Sequence, residues 1–310
     1  CYIEEGGDVE LVTDPWGWWV SPFLDNVFMR DALVAGVLTV LTTSLVGTWV
    51  VLRGMSFLGD ALAHGVLPGI AIAFIIGVDT SIGALVAAGV MVGGISLIRR
   101  HSPLPDDTSI GVLFVGFLAL AVVIMSSQQA SYTGDLNRFL FGSITGLDNS
   151  DLIRQAVAAA IALVGVVVFY RAFLVMTFDE SLARMLGLRP GLAQAALLVL
   201  LAVSIVASFE SVGNLLVFAF LIAPPAAASL LAKRVPVIMG LSVLLGTLAT
   251  YVGILLSYHY ESAAGATMAL CSVVAFFIVL TVTALRSALA SRRQPATSAV
   301  DQAVHSAQRP

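Results

Sequence analysis

Asp60 and His64 stand four positions apart in an otherwise apolar run, RGMSFLGDALAHGVLPGIAIAFIIG, from Arg53 to Gly77. On a helix that spacing puts both side chains on one face. Together they offer a carboxylate oxygen and an imidazole nitrogen. This mixed donor set suits Mn2+, Zn2+ or Fe2+ better than Ca2+ or Mg2+, which prefer oxygen alone. With Arg53 at a membrane edge, His64 falls roughly 16 Å inward, near the middle of a bilayer. Every other acidic residue falls in a predicted loop, tail or span end, and ionisable groups at membrane depth are costly and functional by default. Pro68 has no N–H, so the carbonyl of residue 64 loses its helical donor and becomes a further candidate ligand. Gly59, Gly65 and Gly69 permit close approach of a neighbouring helix. From these residues alone three readings stay open: a metal site, a proton path, and a pair that satisfies itself inside a helix bundle.

Two other stretches carry signals. FDESLARMLGLRPG, from Phe178, predicts a short amphipathic helix over Glu180–Leu188, ended by Gly187 and Pro190. It either docks into a groove on a partner or rests on lipid headgroups. ESVGNLLVFAFLIAPPAAASLL, Glu210–Leu231, contains Gly213, Pro224 and Pro225 and predicts an interrupted span. Glu210 near its end, and His259 and Glu261 in a later loop, are weak candidates for an entry path, with solvated loop positions the commoner case.

The elements that must hold these residues are membrane spans. Of 310 residues, 59% are hydrophobic and 11% charged, against roughly 25% charged in a soluble domain, and the mean hydropathy is +0.99. Nine apolar runs predict spans near Ala32–Leu52, Phe57–Ile76, Ile82–Ile98, Ile110–Ser126, Leu152–Phe173, Leu192–Ser208, Val212–Leu231, Pro236–Tyr258 and Ala266–Leu285. Breakage of the seventh would leave eight. The expected fold is therefore an all-α, polytopic transmembrane bundle of eight or nine spans. An acidic segment with Trp16, Trp18 and Trp19 over 1–31 reads as an extracytoplasmic, membrane-surface anchor. Residues 32–290 form the transmembrane domain, and 291–310 a polar, disordered cytoplasmic tail. A short interfacial helix is expected at Leu136–Phe141.

Charge sets the orientation. With nine spans, Arg53, Arg99, Arg100, Arg171, Arg184, Arg189, Lys233, Arg234, Arg286, Arg292 and Arg293 share the cytoplasmic side with the C-terminus. Asp79, Asp135, Asp148, Glu210 and Glu261 face outward, and Arg138 and Arg154 break the pattern. Lys233 is the only lysine and precedes Arg234, so the Gly-Lys-Ser/Thr core of a P-loop is missing. HExxH and GxSxG are missing too. Cys1 and Cys271 form no CxxC pair.

VLRGMSFLGDALAHGVLPG, FDESLARMLGL, VGNLLVFAFLIAPPAAA and SAAGATMAL, in that order, resemble the ABC-3 family, the membrane permeases of manganese, zinc and iron ABC importers. The resemblance covers roughly Arg30 to Leu285. It implies a homodimer, two cytoplasmic ABC ATPase subunits that bind ATP, and an extracytoplasmic metal-binding protein, with membrane lipid around the bundle and no nucleic-acid partner. It implies no permanently bound cofactor, the metal being cargo in contact with Asp60 and His64. It raises the docking reading of Glu180–Leu188, with Glu180, Ala183, Arg184 and Gly187 in the coupling helix. Gly59, Pro68, Pro224 and Pro225, from their backbone chemistry, are the candidate gate or helix-break positions. The expected location is a bacterial cytoplasmic membrane. The competing expectation is a proton- or sodium-coupled secondary carrier using Asp60 and His64 as a relay. Such a carrier needs no docking helix and often shows inverted repeats, and no repeat is visible here.

Overall fold

The computed structural model describes residues 15–101, 106–126 and 149–292, which form thirteen helices and no strand. Short α1 (Pro15–Trp19) and α2 (Ser21–Asp25) lead into α3 (Val27–Leu52), which starts ahead of the apolar run at Ala32. Then come α4 (Ser56–Gly65), α5 (Leu67–Ile76), α6 (Thr80–His101), α7 (Asp106–Ser126), α8 (Asn149–Phe178) and short α9 (Glu180–Met185). The chain ends in α10 (Pro190–Val212), α11 (Asn214–Leu231), α12 (Val235–Tyr260) and α13 (Ala264–Arg292). Among the described residues eight spans are long and apolar enough to cross a membrane, with α4 and α5 counting as one, and the apolar part of α11, Val217–Leu231, is shorter. The predicted helix at Leu136–Phe141 and the tail beyond Arg292 lie outside the described residues.

Lipid gives helices no hydrophobic reason to associate, so close packing of small residues must do it. The clearest case joins α3 to α11. A Cβ added at Gly47 would lie 2.1 Å from the Leu221 carbonyl oxygen. That carbonyl is the one whose helical donor Pro225 removes. The backbone of α3 therefore presses against the acceptor that α11 leaves open, a contact of the Cα–H···O kind. This contact accompanies a departure from expectation: Pro224 and Pro225 do not interrupt the span, and α11 runs unbroken from Asn214 to Leu231. The chain instead reverses at Gly213, a single residue with φ 90° and ψ 147° between α10 and α11, a conformation that glycine adopts without cost.

Most hydroxyls on the enclosed helix α3 are satisfied locally, while Ser44 Oγ and Trp49 Nε1 are buried with no hydrogen-bond partner. The hydroxyls of Thr42, Thr43 and Thr48 donate to the carbonyls four residues back, at 2.6–2.7 Å. Gln155 of α8, buried, donates to Thr39.

Side-chain contacts mark the two ends of the bundle. At one end Arg154 of α8 lies 3.8 Å from both Asp79, between α5 and α6, and Asp151. Arg154, one of the two cations that broke the charge pattern, is thus matched by two carboxylates. Asp79 also caps α6, its Oδ1 accepting from the Ser81 N–H at 2.8 Å. That bond, then the Ser81 hydroxyl and Arg154, hold the Asp79 carboxyl below the ordinary carboxylate value, against a burial cost. At the other end Arg53, closing α3, donates to Gln194 in the first turns of α10.

The tryptophan segment departs from expectation as well. Only Trp16 is exposed, at 66%. Trp18 is buried and stacks on His259 of α12 at 4.2 Å, while Trp19 and Phe23 stack on Tyr251. The Tyr251 hydroxyl donates to the Trp19 carbonyl at 2.6 Å. The segment is a cap on the C-terminal end of α12, not a free surface anchor. Because α13 leaves from that end, it carries the chain to the opposite end of the bundle.

Candidate metal pathway

α3 closes at Leu52, Gly54 turns the chain at φ 66°, and α4 starts at Ser56. Measured from that start, His64 stands about 12 Å along α4. Gly59 brings α4 onto α11: a Cβ there would lie 2.4 Å from Leu221 Cδ2. The span breaks at Val66, and buried Pro68 opens α5. The His64 carbonyl that Pro68 deprives of its donor accepts from the Val66 N–H, so the break itself absorbs it and it is not presented as a ligand.

Asp60 and His64 share the expected face. His64 Nε2 lies 3.6 Å from Asp60 Oδ1, too far for a hydrogen bond, and the side chains keep 20% and 31% exposure respectively. Both are thus half-open at the edge of the chain. The other ring nitrogen, Nδ1, is buried with no hydrogen-bond partner. Phe114 of α7 covers this region, its ring centroid 5.9 Å from His64 and 5.7 Å, edge-on, from Phe57. Among the described residues no third His, Cys, Asp or Glu joins the pair to make a metal-sized cluster. One chain therefore brings two donors where a transition metal takes four or more.

The entry-path candidates go elsewhere. His259 is half-buried under Trp18, with Nδ1 2.9 Å from the Leu255 carbonyl. Glu261 is exposed and ends α12 at φ 49°. The side chain of Glu210 lies outside the described residues.

α9 is shorter than predicted, Glu180–Met185, and sharply bounded. Asp179 Oδ1 accepts from the N–H groups of Ser181 and Leu182 at 2.8 and 3.0 Å, a standard N-cap. Gly187, at φ 70°, closes the other end, where its N–H reaches the Arg184 carbonyl and the Leu188 N–H reaches Ala183. Ala183 is buried, while Met185 is 86% exposed and Leu182, Leu186 and Phe178 are open beside it. Arg184 is exposed; the Glu180 side chain lies outside the described residues. A rigid turn thus presents apolar side chains at the end of the bundle that holds Arg53 and Gln194.

A bundle of eight membrane-length spans and one shorter apolar helix among the described residues, a broken span bearing a carboxylate and an imidazole, and a capped helix displaying apolar side chains define a class, the polytopic transport permease. The profile of the ABC 3 transport family matches residues 25–283. The chain is 34% identical over 251 residues, 81% of its length and 89% of the relative's, to the manganese transport system membrane protein MntC of Listeria monocytogenes. It is 31% identical over 274 residues, 88% and 92% of the two lengths, to the chelated iron transport system membrane protein YfeD of Yersinia pestis. Its fold matches a solved structure, PsaBC from Streptococcus pneumoniae in complex with Fab, at TM-score 0.75 and 32% identity, covering 84% of this chain and 94% of that one. The chain belongs to the ABC 3 transport family. It is a multi-pass membrane permease subunit of a bacterial ABC transporter, a component distinct from the subunit that hydrolyses ATP.

Phe114, Gln194 and the Trp18–His259 stack escaped the sequence reading. Gln194, a lone amide among apolar neighbours, was the one that composition could have flagged.

Proposed function

We propose that this permease imports a divalent transition metal, Mn2+, Zn2+ or Fe2+, into the cytoplasm by alternating access, with Asp60 and His64 contacting the ion in transit. The observation that carries the reading is the half-open Asp60–His64 pair, two donors of the right chemistry and no third among the described residues. A second copy facing the first would supply two more and complete a four-donor set. The names of the manganese and chelated-iron relatives support a metal cargo. The exposed apolar side of α9 supports docking of two cytoplasmic ABC ATPase subunits, which bind the ATP. An extracytoplasmic metal-binding protein then delivers the ion at the end bearing Asp79 and the tryptophan cap, and the C-terminus lies in the cytoplasm.

The test is metal-stimulated ATP hydrolysis in proteoliposomes containing the permease, its ATPase and its binding protein. Mn2+ or Zn2+ should stimulate the wild type, and Asp60→Ala or His64→Ala should abolish the stimulation while the complex still assembles. Normal stimulation in either variant would remove the site assignment. Metal uptake driven by a proton gradient and indifferent to ATP would replace the whole reading with a secondary carrier.

A further inference from the structure

Gln194 is only 8% exposed, and burying a primary amide is costly unless its groups find partners. Both do, on the same segment. Oε1 accepts from Arg53 Nη1, and Nε2 lies 3.8 Å from the Met55 sulfur. Arg53 and Met55 flank Gly54, whose φ of 66° makes the turn between α3 and α4 and which has open space where a Cβ would stand. Met55 immediately precedes α4, and α4 runs without a break from Ser56 through Asp60 to His64.

On its other side Gln194 is tied to α9. The Gly187 turn is closed by two backbone bonds, and the N–H groups of Leu192 and Ala193 both reach the Arg189 carbonyl at 3.0 and 3.1 Å. Pro190, with its fixed φ, starts α10. Backbone hydrogen bonds thus close the turn that ends α9 and open the first turn of α10, leaving only extended Arg189 between them. α3, in contrast, is held against α11 at Gly47. A displacement of α9 therefore reaches Gln194 as a displacement of the start of α10. The amide passes it to the Arg53–Met55 turn, where Gly54, at φ 66° with open space beside it, is the backbone joint between α3 and α4.

We infer that Gln194 is a positioning residue that transmits movement of α9 to the metal-bearing helix α4. The inference rests on the reading of α9 as the ATPase-docking helix and of Asp60–His64 as the metal site. A network that only fills space has no such role, so the assignment demands a measured coupling.

The experiment uses proteoliposomes of the permease with its ATPase and binding protein, and reads Mn2+ taken up per ATP hydrolysed beside Mn2+ binding to the purified permease. Gln194→Leu should bind Mn2+ as the wild type does and should still support hydrolysis, but its uptake per ATP should fall about tenfold. Gln194→Glu, which still accepts from Arg53, should restore the ratio. Where Gln194→Leu does not insert, Gln194→Met keeps the side-chain length and carries the same expectation. An unchanged ratio in the apolar variant overturns the inference, and so does a parallel loss of Mn2+ binding, which would make Gln194 a residue of the fold alone. Met185→Glu on α9 separates the two claims. If it abolishes ATP-driven uptake while Gln194→Leu behaves as wild type, only the role of Gln194 falls. If uptake survives Met185→Glu, the docking reading falls and takes this inference with it.

Discussion

A carboxylate brings charge to a cation and a neutral imidazole brings none, so in the proposed metal site Asp60 and His64 would divide the work of holding one: the first would attract it, the second would give direction to the coordination. Direction depends on the ring being held, and Phe114 is the side chain against it, over a buried and unpartnered Nδ1. Groups that orient a ligand typically matter 10–100-fold in metal affinity. Phe114→Ala should therefore weaken Mn2+ binding by about tenfold at unchanged melting temperature, as read by Mn2+ titration of the purified permease. The same scale governs Asp79. Its carboxyl sits below its ordinary value, so its charged form stabilises the fold. That contribution is complete above the unfolded carboxylate value and fades as pH falls through the lower, folded one. Wild type should outlast Asp79→Asn in thermal melts at neutral pH, and the gap should close in acid. Asp60 and His64 stood out in the sequence because ionisable groups in an apolar run are costly, and the structure keeps them on one face of α4. Phe114 did not stand out, since a phenylalanine in a lipid-spanning helix looks the same whether it faces lipid or a ligand.

At the level of elements, composition and charge found every span, because the cost of apolar side chains in water and of unpaired backbone groups in lipid is paid residue by residue along the chain. What they missed was how helices treat their own irregularities. Two adjacent prolines predict a break, yet α11 stays whole, with α3 packed against the Leu221 carbonyl that Pro225 leaves without a donor. No local pattern contains that, since Gly47 and Leu221 are brought together only by the tertiary fold. The contact is testable. Gly47→Ala places a methyl against backbone that cannot rotate away, so its cost should lie at or above the upper end of the about 1–3 kcal/mol typical of overpacking. Thermal melting in detergent should drop, and Gly89→Ala, with nothing near its added Cβ, should leave it alone. The Pro68 break followed expectation in position but not in use, since Val66 takes up the carbonyl that was a candidate ligand.

For the whole molecule, side-chain contacts say which residues share an end of the bundle. Arg154 meets Asp79 at one end, Arg53 meets Gln194 at the other, and the N-terminal cap lies on α12 where the chain turns toward its last span. The position of that cap could not be read from composition, because indoles favour a membrane interface and a protein groove for the same amphipathic reason. Its geometry has an optical consequence. The chain has four tryptophans, and Trp18 alone lies stacked on an imidazole. An imidazole in face contact drains the excited state of an indole, so Trp18 should emit weakly while the cap is seated and brighten if the capped end of α12 swings away. With Trp18→Phe as the blank, ordinary ultraviolet emission would follow that swing during turnover without any attached dye.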